Sequence, residues 1–305
     1  MKAALCTKYG DPSVIRVVEW PVPEIKRDEL LIRVHATTVD SADVRMRSLH
    51  APFPLNIIMR LMMGISKPRQ PVFGHCFSGT VEKTGAECRE FKVGDRLFGS
   101  TEGMQFGAHA EYLKIKEKAP LTFLPEGATD AEAVALLFGG SAALYFLEKA
   151  GYRKGQKILI LGGSGAVGSS ALQLCARKGL IVHAVSSRAH EVIARELGAR
   201  KVFERKSDWT QESDHDYDII FDAVGRYDKK EVVKRMKSDG RYITVASSDV
   251  AKETRAQVEE LKKAFEEGTL RALVDREFSL DQIIEAHAYV DRGSKVGAAV
   301  IRMEA

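Results

Sequence analysis

A glycine-rich turn that follows an apolar run constrains the fold of this chain more than any other feature. Ile158–Gly162 reads as a buried strand, and Gly163, Gly165 and Gly168 follow with G-x-G-x-x-G spacing at the start of a predicted helix, Ala166–Lys178. In such a turn the glycines permit a tight bend, a close backbone approach to a pyrophosphate and close helix–strand packing. The helix N-terminus offers free N–H groups to phosphates. The motif and its context predict a dinucleotide site built from Gly163, Ser164, Gly165, Ala166, Val167 and Gly168.

The composition is that of a soluble globular chain with room for two domains: 305 residues, 45% hydrophobic and 29% charged. The net charge of +4 comes without a basic block, so nothing favours nucleic acid as a partner. We find no apolar run long enough to span a membrane and no secretory signal at the start. Cys6, Cys76, Cys88 and Cys175 form no C-x-x-C pair, which favours free thiols in a reducing cytoplasm.

The first third of the chain reads as β-rich, and the rest alternates between helices and strands. We expect early strands at Leu30–Ala36, Phe77–Lys83 and Phe106–Ile115. The Met-rich segment Ala51–Arg69 reads either as a mobile helix or loop over a cleft or as a packed surface helix. From Thr129 onward the alternation predicts a parallel sheet with right-handed crossovers. The helices expected there are Asp130–Phe138, Ser141–Ala150, Ala166–Lys178, Ala189–Leu197, Lys229–Lys237 and Ala251–Glu267.

The order of these features resembles the medium-chain dehydrogenase/reductase superfamily, and its zinc-independent, quinone-oxidoreductase-like branch most of all. The resemblance rests on segments along nearly the whole chain, namely Val39–Arg45, Pro71–Val81, Phe91–Ser100, Gly139–Leu147, Gly155–Ile160, the glycine turn, Asp218–Gly225 and Val274–His287. It implies an α/β protein with a GroES-like β-rich catalytic domain, residues 1–121 and 270–305, and a doubly wound Rossmann domain, residues 122–269. It also implies hydride transfer from NAD(P)H to a quinone, enone or related carbonyl acceptor in a cleft between them.

The end of the second Rossmann strand favours NADPH over NADH. An NAD site usually has an acidic residue there to hold the ribose hydroxyls. Here the strand ends in Ser186, Ser187 and Arg188, and the next acid is Glu191. Arginine binds a 2′-phosphate with paired charge-assisted hydrogen bonds, although a solvated Arg188 is the alternative. The resemblance adds three further cofactor residues, Ala223, Val224 and Gly225.

The sequence argues against a metal. Zinc-dependent relatives pair an upstream Cys with a Gly-His-Glu segment, whereas this chain has Gly74-His75-Cys76 and no thiol in Ala36–Thr38. Catalytic zinc needs three protein ligands. We therefore interpret His75 and Cys76 as cleft-wall or packing residues and expect no metal.

The resemblance also indicates where a substrate would bind. It maps the pocket to Asp40, Arg45, His75 and Ser141, with Asp40 and His75 as the candidate catalytic residues, and the aromatic Phe53, Phe106 and Phe138 are candidates for an apolar wall. Core packing is the alternative for the three phenylalanines. Relatives typically have Asn, Asp and Thr where this chain has Asp40, Cys76 and Ala142, so the substrate does not transfer from the resemblance.

The segment between Ala246 and Leu270 lacks the strand-like run that relatives place there. We expect a Rossmann sheet of five strands without its last strand, and a monomer or an altered dimer. The leading function is an NADPH-dependent quinone or enone reductase. An NADPH-binding sensor or partner-binding protein with little turnover is the alternative, and an alcohol dehydrogenase fits less well because zinc ligands are missing.

Overall fold

A computed structural model describes residues 1–49, 55–101, 103, 105–246 and 251–304. Two large sheets organise them. The first is mainly antiparallel, with the order β13-β14-β3-β4-β5-β7 and with β6 also paired to β3. Its strands are β3 (Glu29–Val39), β4 (Cys76–Thr84), β5 (Arg96–Ser100), β6 (Tyr112–Lys116), β7 (Leu121–Phe123), β13 (Val274–Ser279) and β14 (Ala298–Arg302). Both ends of the chain therefore build one sheet, and β1 (Lys2–Cys6) pairs with β2 (Ile15–Glu19) beside it.

The second sheet is parallel and has the order β10-β9-β8-β11-β12. Its strands are β8 (Lys157–Leu161), β9 (Ile181–Ser186), β10 (Lys201–Glu204), β11 (Tyr217–Asp222) and β12 (Met236–Thr244). The helices are α1 (Ser41–Ser48), α2 (Leu55–Met63), α3 (Asp130–Ala150), α4 (Ala166–Arg177), α5 (Glu191–Glu196), α6 (Trp209–Glu212), α7 (Lys229–Val232), α8 (Arg255–Glu266) and α9 (Ile283–Asp291).

The apolar run of β8 explains why this sheet is covered on both faces. Side chains alternate between the two faces of a strand. Ile158 and Ile160 enter a core that also holds residues of α3 and α4, whereas Leu159 and Leu161 enter a second core with Trp209. The side chains of Ile158 to Leu161 have no exposed area. Such continuous burial is expected for a parallel strand between helical layers.

α3 is a single helix, so the predicted break between Asp130–Phe138 and Ser141–Ala150 was wrong. Gly139 and Gly140 lie inside it because neighbouring elements come very close. A Cβ on Gly139 would lie 2.2 Å from the carbonyl oxygen of Ala166, and one on Gly140 would lie 2.5 Å from Leu261. The two glycines thus permit close packing of α3 on α4 and α8. α3 has the length and hydropathy of a membrane span, but 72% of its most apolar window is buried in this fold, as in a core helix.

Three other predictions need correction. The expected strand Phe106–Ile115 begins only at Tyr112, because positive φ angles of 43° at Phe106 and 111° at Gly107 interrupt the extended backbone. The expected helix Lys229–Lys237 ends at Val232 and is followed by a 3-10 turn, Val233–Arg235, and by β12. The expected helix Ala251–Glu267 begins at Arg255, where Thr254 and Gln257 form a capping box.

The prediction of a five-stranded Rossmann sheet is confirmed for the described residues. β12 is its edge strand, and the described part of the chain between Val245 and Leu273 contains α8 and no further strand. The segment Ala51–Arg69 contains α2, while residues 50–54, including the predicted pocket residue Phe53, lie outside the described residues.

Candidate active site

The glycine turn lies at the carboxyl end of β8, between β9 on one side and β11 on the other. Ligands of parallel sheets bind outside the carboxyl ends of the strands, at the point where the strand order reverses. α4 begins at Ala166, and its N-cap Gly165 supplies no side-chain cap. The first N–H groups of a helix have no acceptor within the helix, so they remain available here.

Two glycines of the turn serve different purposes: Gly168 permits helix packing, and Gly165 leaves space for a ligand. A Cβ on Gly168 would lie 2.1 Å from the carbonyl oxygen of Gly162, so α4 could not pack as closely with any side chain there. A Cβ on Gly165 would have its nearest neighbour, the same oxygen, 3.7 Å away. A Cβ at Gly165 would therefore make a single ordinary van der Waals contact, so the space over this residue is uncrowded, as a bound pyrophosphate requires.

The end of β9 presents unsatisfied hydroxyl groups beside this turn. The Oγ atoms of Ser186 and Ser187 are buried and have no hydrogen-bond partner. Arg188 is exposed at the start of a short 3-10 turn, and the backbone N–H of Arg205 donates to the carbonyl of Ser186 at 2.7 Å. Sequence reasoning missed Arg205, which only the pairing of β10 with β9 brings to this strand end.

Three further hydrogen bonds fix the walls around the turn. Asp222 Oδ1 accepts hydrogen bonds from the N–H groups of Val224 and Gly225 at 3.0 and 2.8 Å, so the end of β11 is rigidly folded. On the other side the N–H of Gly297 donates to the carbonyl of Ser164 at 3.2 Å. The loop before β14 therefore reaches the glycine turn and joins the two sheets.

A small cavity of about 10 Å³ lies next to the start of α4. Its polar lining includes Asp40 and Lys295, and its apolar lining includes Phe138, Gly139 and Ala166. Burial lowers the pKa of Lys295, and the charges of Asp40 and Asp275 oppose that effect. Lys295 is a further residue that the sequence did not indicate, because its place depends on the loop contact at Gly297.

Asp40 caps α1 and also faces a histidine. Its Oδ1 accepts from the N–H groups of Ala42 and Asp43 at 2.8 and 3.2 Å, in a capping box. Its Oδ2 is buried without a hydrogen-bond partner and lies 3.5 Å from Nδ1 of His75. Asp40 is only 2% exposed. One carboxylate thus stabilises the helix and supplies a free acceptor to the cleft.

The opposite ring nitrogen of His75 faces Glu253, which sequence analysis did not single out. His75 Nε2 lies 4.0 Å from Glu253 Oε1, and the two side chains are 12% and 15% exposed. Burial alone would lower the pKa of His75, but Cys76, Asp40 and Glu253 together hold it well above the ordinary value. Burial raises the pKa of Glu253. Burial and the charge of Asp40 raise the pKa of Asp43 to about 8.

The structure brings some of the predicted pocket residues together and separates others. Phe138 lies beside His75, with ring centroids 5.6 Å apart. Ser141 is buried in α3, and its hydroxyl has no partner. Arg45 is exposed on α1 and is not part of the cavity lining. Phe106 packs against Phe73 in a separate core and does not line this cavity, so its place in the substrate pocket stays a prediction.

Comparison with known proteins agrees with this architecture. Residues 26–126 match the family described as alcohol dehydrogenase GroES-like domain, and residues 250–301 match the one described as zinc-binding dehydrogenase. The quinone oxidoreductase of Coxiella burnetii has a similar fold, with a TM-score of 0.89 and 24% identity over 100% of this chain and 99% of its own.

Two curated relatives extend over 99% of this chain and 79% of their own length. The 2-methylene-furan-3-one reductase of Solanum lycopersicum is 31% identical, and the chloroplastic NADPH-dependent alkenal/one oxidoreductase of Arabidopsis thaliana is 28% identical. The chain therefore belongs to the medium-chain dehydrogenase/reductase superfamily, among its enone and quinone oxidoreductases.

Proposed function

We propose that this oxidoreductase transfers hydride from NADPH to an enone, a quinone or a related carbonyl compound. The observation that carries the proposal is the open backbone turn at Gly165, which lies beside the buried, unpartnered hydroxyls of Ser186 and Ser187. A buried hydroxyl without a partner is costly, and a phosphate is a suitable partner for it. The names of the relatives point to the same chemistry.

The cofactor would be held by backbone at one end and by side chains at the other. We assign the pyrophosphate to Gly163, Ser164, Gly165, Ala166, Val167 and Gly168, and the 2′-phosphate to Ser186, Ser187 and Arg188. Arg205 adds a second positive charge near this strand end, Glu204 pairs with Ser186 across the sheet, and the next acid after Arg188 is Glu191. Ala223, Val224 and Gly225 would form the wall on the β11 side.

When bound, NADPH supplies the hydride, and the protein orients the acceptor and meets the charge that develops on its oxygen. The cavity beside Ala166 has the apolar Phe138 on one wall and the cation of Lys295 on another. We therefore propose Lys295 as the group that stabilises negative charge on the acceptor oxygen. Asp40 and His75 remain the candidate catalytic residues, and Asp40 would orient Lys295 through its charge.

A cofactor-binding protein with little turnover is the second candidate. The cavity of about 10 Å³ has room for about one water molecule, which is less than an acceptor needs. The unusual Asp40, Cys76 and Ala142 in its neighbourhood favour this candidate as well.

Oxidation of NADPH by a panel of enones, enals and quinones tests the proposal. Turnover with one acceptor class, together with weaker use of NADH, supports the reductase. Saturable NADPH binding without turnover on any acceptor selects the second candidate. Failure to bind NADPH overturns both.

The remaining assignments are proposals of the same kind. We propose the domain limits 1–121 with 270–305 for the catalytic domain and 122–269 for the cofactor domain. The five-stranded sheet leaves β12 as its edge, which favours a monomer or an altered dimer. All four cysteines are free thiols, which favours a reducing compartment such as the cytoplasm.

A further inference from the structure

Helix α2 exposes apolar side chains at the surface of the protein. Met63 is 8% exposed and anchors the helix in the core that contains Phe73. Leu61 and Met62, however, are 59% and 53% exposed, and Ile65, just after the helix, is 69% exposed. A surface helix usually has polar or charged residues on its outer side. Exposed apolar residues that cluster in this way mark a contact surface, whereas isolated ones need no explanation.

The chain folds back directly after α2 and holds this surface in one shape. Gly64 has a φ of 123°, and a Cβ there would lie 2.1 Å from the carbonyl oxygen of Lys67. The N–H of Arg69 then donates to the carbonyl of Met63 at 2.7 Å. Residues 64–69 are therefore attached to the end of α2, and the exposed side chains belong to one surface unit.

Cations of the same segment lie beside the exposed apolar residues. Nη1 of Arg60 donates to the carbonyl of Ile65 at 2.7 Å, and Nη1 of Arg69 donates to the carbonyl of Met62 at 3.4 Å. Lys67 is exposed between them in the turn. We call this surface the α2 face; it consists of the apolar Leu61, Met62 and Ile65 and the cations Arg60, Lys67 and Arg69.

The positive charge of the α2 face is not balanced by nearby acids along the chain. The sequence contains no Asp or Glu between Asp43 and Glu82. Among the ion pairs of the described residues, none includes Arg60, Lys67 or Arg69. The α2 face therefore combines exposed apolar groups with uncompensated positive charge.

This combination distinguishes between the possible partners. In a two-fold contact both copies present the same patch, so a second copy would bring the cations of the α2 face against their own counterparts. Like charges in an interface are unfavourable. An anionic lipid surface instead takes up apolar side chains below its head groups and attracts Lys and Arg. The nine residues of α2 are too few to span a bilayer, which needs about 20, so the contact is peripheral.

We propose that the α2 face binds the surface of an anionic lipid bilayer. The apolar side chains enter the boundary between head groups and acyl chains, and the cations contact the lipid phosphates. Binding is reversible, because the contact has few apolar side chains and no covalent anchor is invoked. The proposal does not rest on the reductase function, and its tests do not use turnover, so the two stand or fall separately.

Co-sedimentation of the full chain with lipid vesicles tests the proposal. We expect saturable binding to vesicles of phosphatidylglycerol mixed with phosphatidylcholine, and at least about tenfold weaker binding to phosphatidylcholine alone. Added salt should weaken the binding to anionic vesicles, because it screens the cations. Absence of saturable binding to the anionic vesicles, or equal binding to both kinds, overturns the proposal.

Variants test whether the α2 face makes the contact. Leu61→Ser and Ile65→Ser should each weaken binding about tenfold, since each removes an apolar group from the lipid boundary. Lys67→Glu should weaken it at least about tenfold by reversing a charge. The controls are Val93→Ser, at a side chain that is 62% exposed in the turn before β5, and Lys83→Glu, at an exposed position of β4. Equal losses in the controls and in the α2 face variants contradict the assignment.

A fluorescent probe reports the depth of the contact and does not depend on a loss of binding. Tryptophan emission of Leu61→Trp should shift to shorter wavelength on anionic vesicles and should be quenched by brominated acyl chains, whereas Val93→Trp should show neither change. The same response from both variants contradicts insertion of the α2 face. Self-association of the wild-type protein without lipid, if Leu61→Ser abolishes it, would assign this face to a second copy and overturn the proposal.

Discussion

The backbone N–H of Gly297 donates a hydrogen bond to the carbonyl of Ser164 at 3.2 Å, and Gly165 and Gly297 form an isolated parallel bridge. The loop before β14 is thereby attached to the glycine turn. This attachment places Lys295 in the cavity beside Ala166. The proposed cofactor site and the proposed acceptor site are therefore held together by backbone contacts.

Gly165→Ala should weaken NADPH binding without a comparable loss of stability. The new Cβ would have its nearest neighbour 3.7 Å away, so we expect the free energy of unfolding to change by less than about 0.5 kcal/mol. The same methyl group would occupy the space proposed for the pyrophosphate. NADPH binding, measured by fluorescence or calorimetry, should weaken about tenfold, or about 1.4 kcal/mol.

Gly168→Ala is the matched comparison, because its Cβ would lie 2.1 Å from the Gly162 carbonyl oxygen. That variant should lose stability as well as binding. Unchanged NADPH affinity in a folded Gly165→Ala protein would contradict the placement of the pyrophosphate.

Arg188→Asp tests the cofactor preference. A carboxylate at the end of β9 repels a 2′-phosphate and accepts hydrogen bonds from ribose hydroxyls. The ratio of kcat/KM for NADPH to that for NADH should fall at least about tenfold, or about 1.4 kcal/mol. Arg195→Asp, on the neighbouring helix α5, is a control of equal charge change. An equal loss of kcat/KM with both cofactors would show that Arg188 does not bind the 2′-phosphate.

The buried His109 makes stability depend on pH. Its Nε2–H donates to the carbonyl of Thr38 at 2.9 Å, and burial lowers its pKa from 6.5 to about 4. The unfolded chain binds a proton at a higher pH than the folded chain does. The stability that neutral His109 contributes is thus present above pH 6.5 and is lost as the pH falls toward 4, by on the order of 3 kcal/mol.

Urea unfolding between pH 7.5 and 4.5 measures this dependence. Asp43 lies 3.9 Å from His109, and the ring of His287 lies 5.9 Å away, so both groups face the same ring. His109→Gln should be less stable at neutral pH and should show a smaller loss on acidification. An identical slope in the variant and the wild-type protein would assign the effect to other groups.

Much of the fold follows from local sequence signals. Each of three signals is contained in a few consecutive residues: the apolar run of β8, the glycine spacing and the Ser-Ser-Arg end of β9. The structure places the glycine turn and the Ser-Ser-Arg segment next to each other, at the carboxyl ends of β8 and β9. The missing sixth strand was likewise visible as a lack of strand-like residues before Leu270. Gly139 and Gly140 led to the wrong prediction of a helix break. They are needed inside α3 because Ala166 and Leu261, which are distant in sequence, approach them closely.

The composition of the cleft could be predicted only in part. Asp40 and His75 lie in motifs that the resemblance identifies, Phe138 directly precedes one, and the structure brings the three together. Glu253 and Lys295 lie in segments without a motif and reach the cleft through long-range packing. Phe106 has a positive φ and packs in a neighbouring core, which no local pattern indicated. Local pattern therefore reveals the cofactor turn better than the residues around the acceptor.

The central claim is hydride transfer from NADPH to a conjugated carbonyl acceptor, and isotope transfer tests it most directly. The enzyme is given NADPH deuterated at the transferable C4 position and an enone that it turns over, and the product is examined by NMR. The account predicts one deuterium on the β-carbon of the saturated product and a solvent-derived hydrogen on the α-carbon. Saturated product without deuterium from the cofactor, or no reduction of any enone or quinone by an enzyme that binds NADPH, would contradict it.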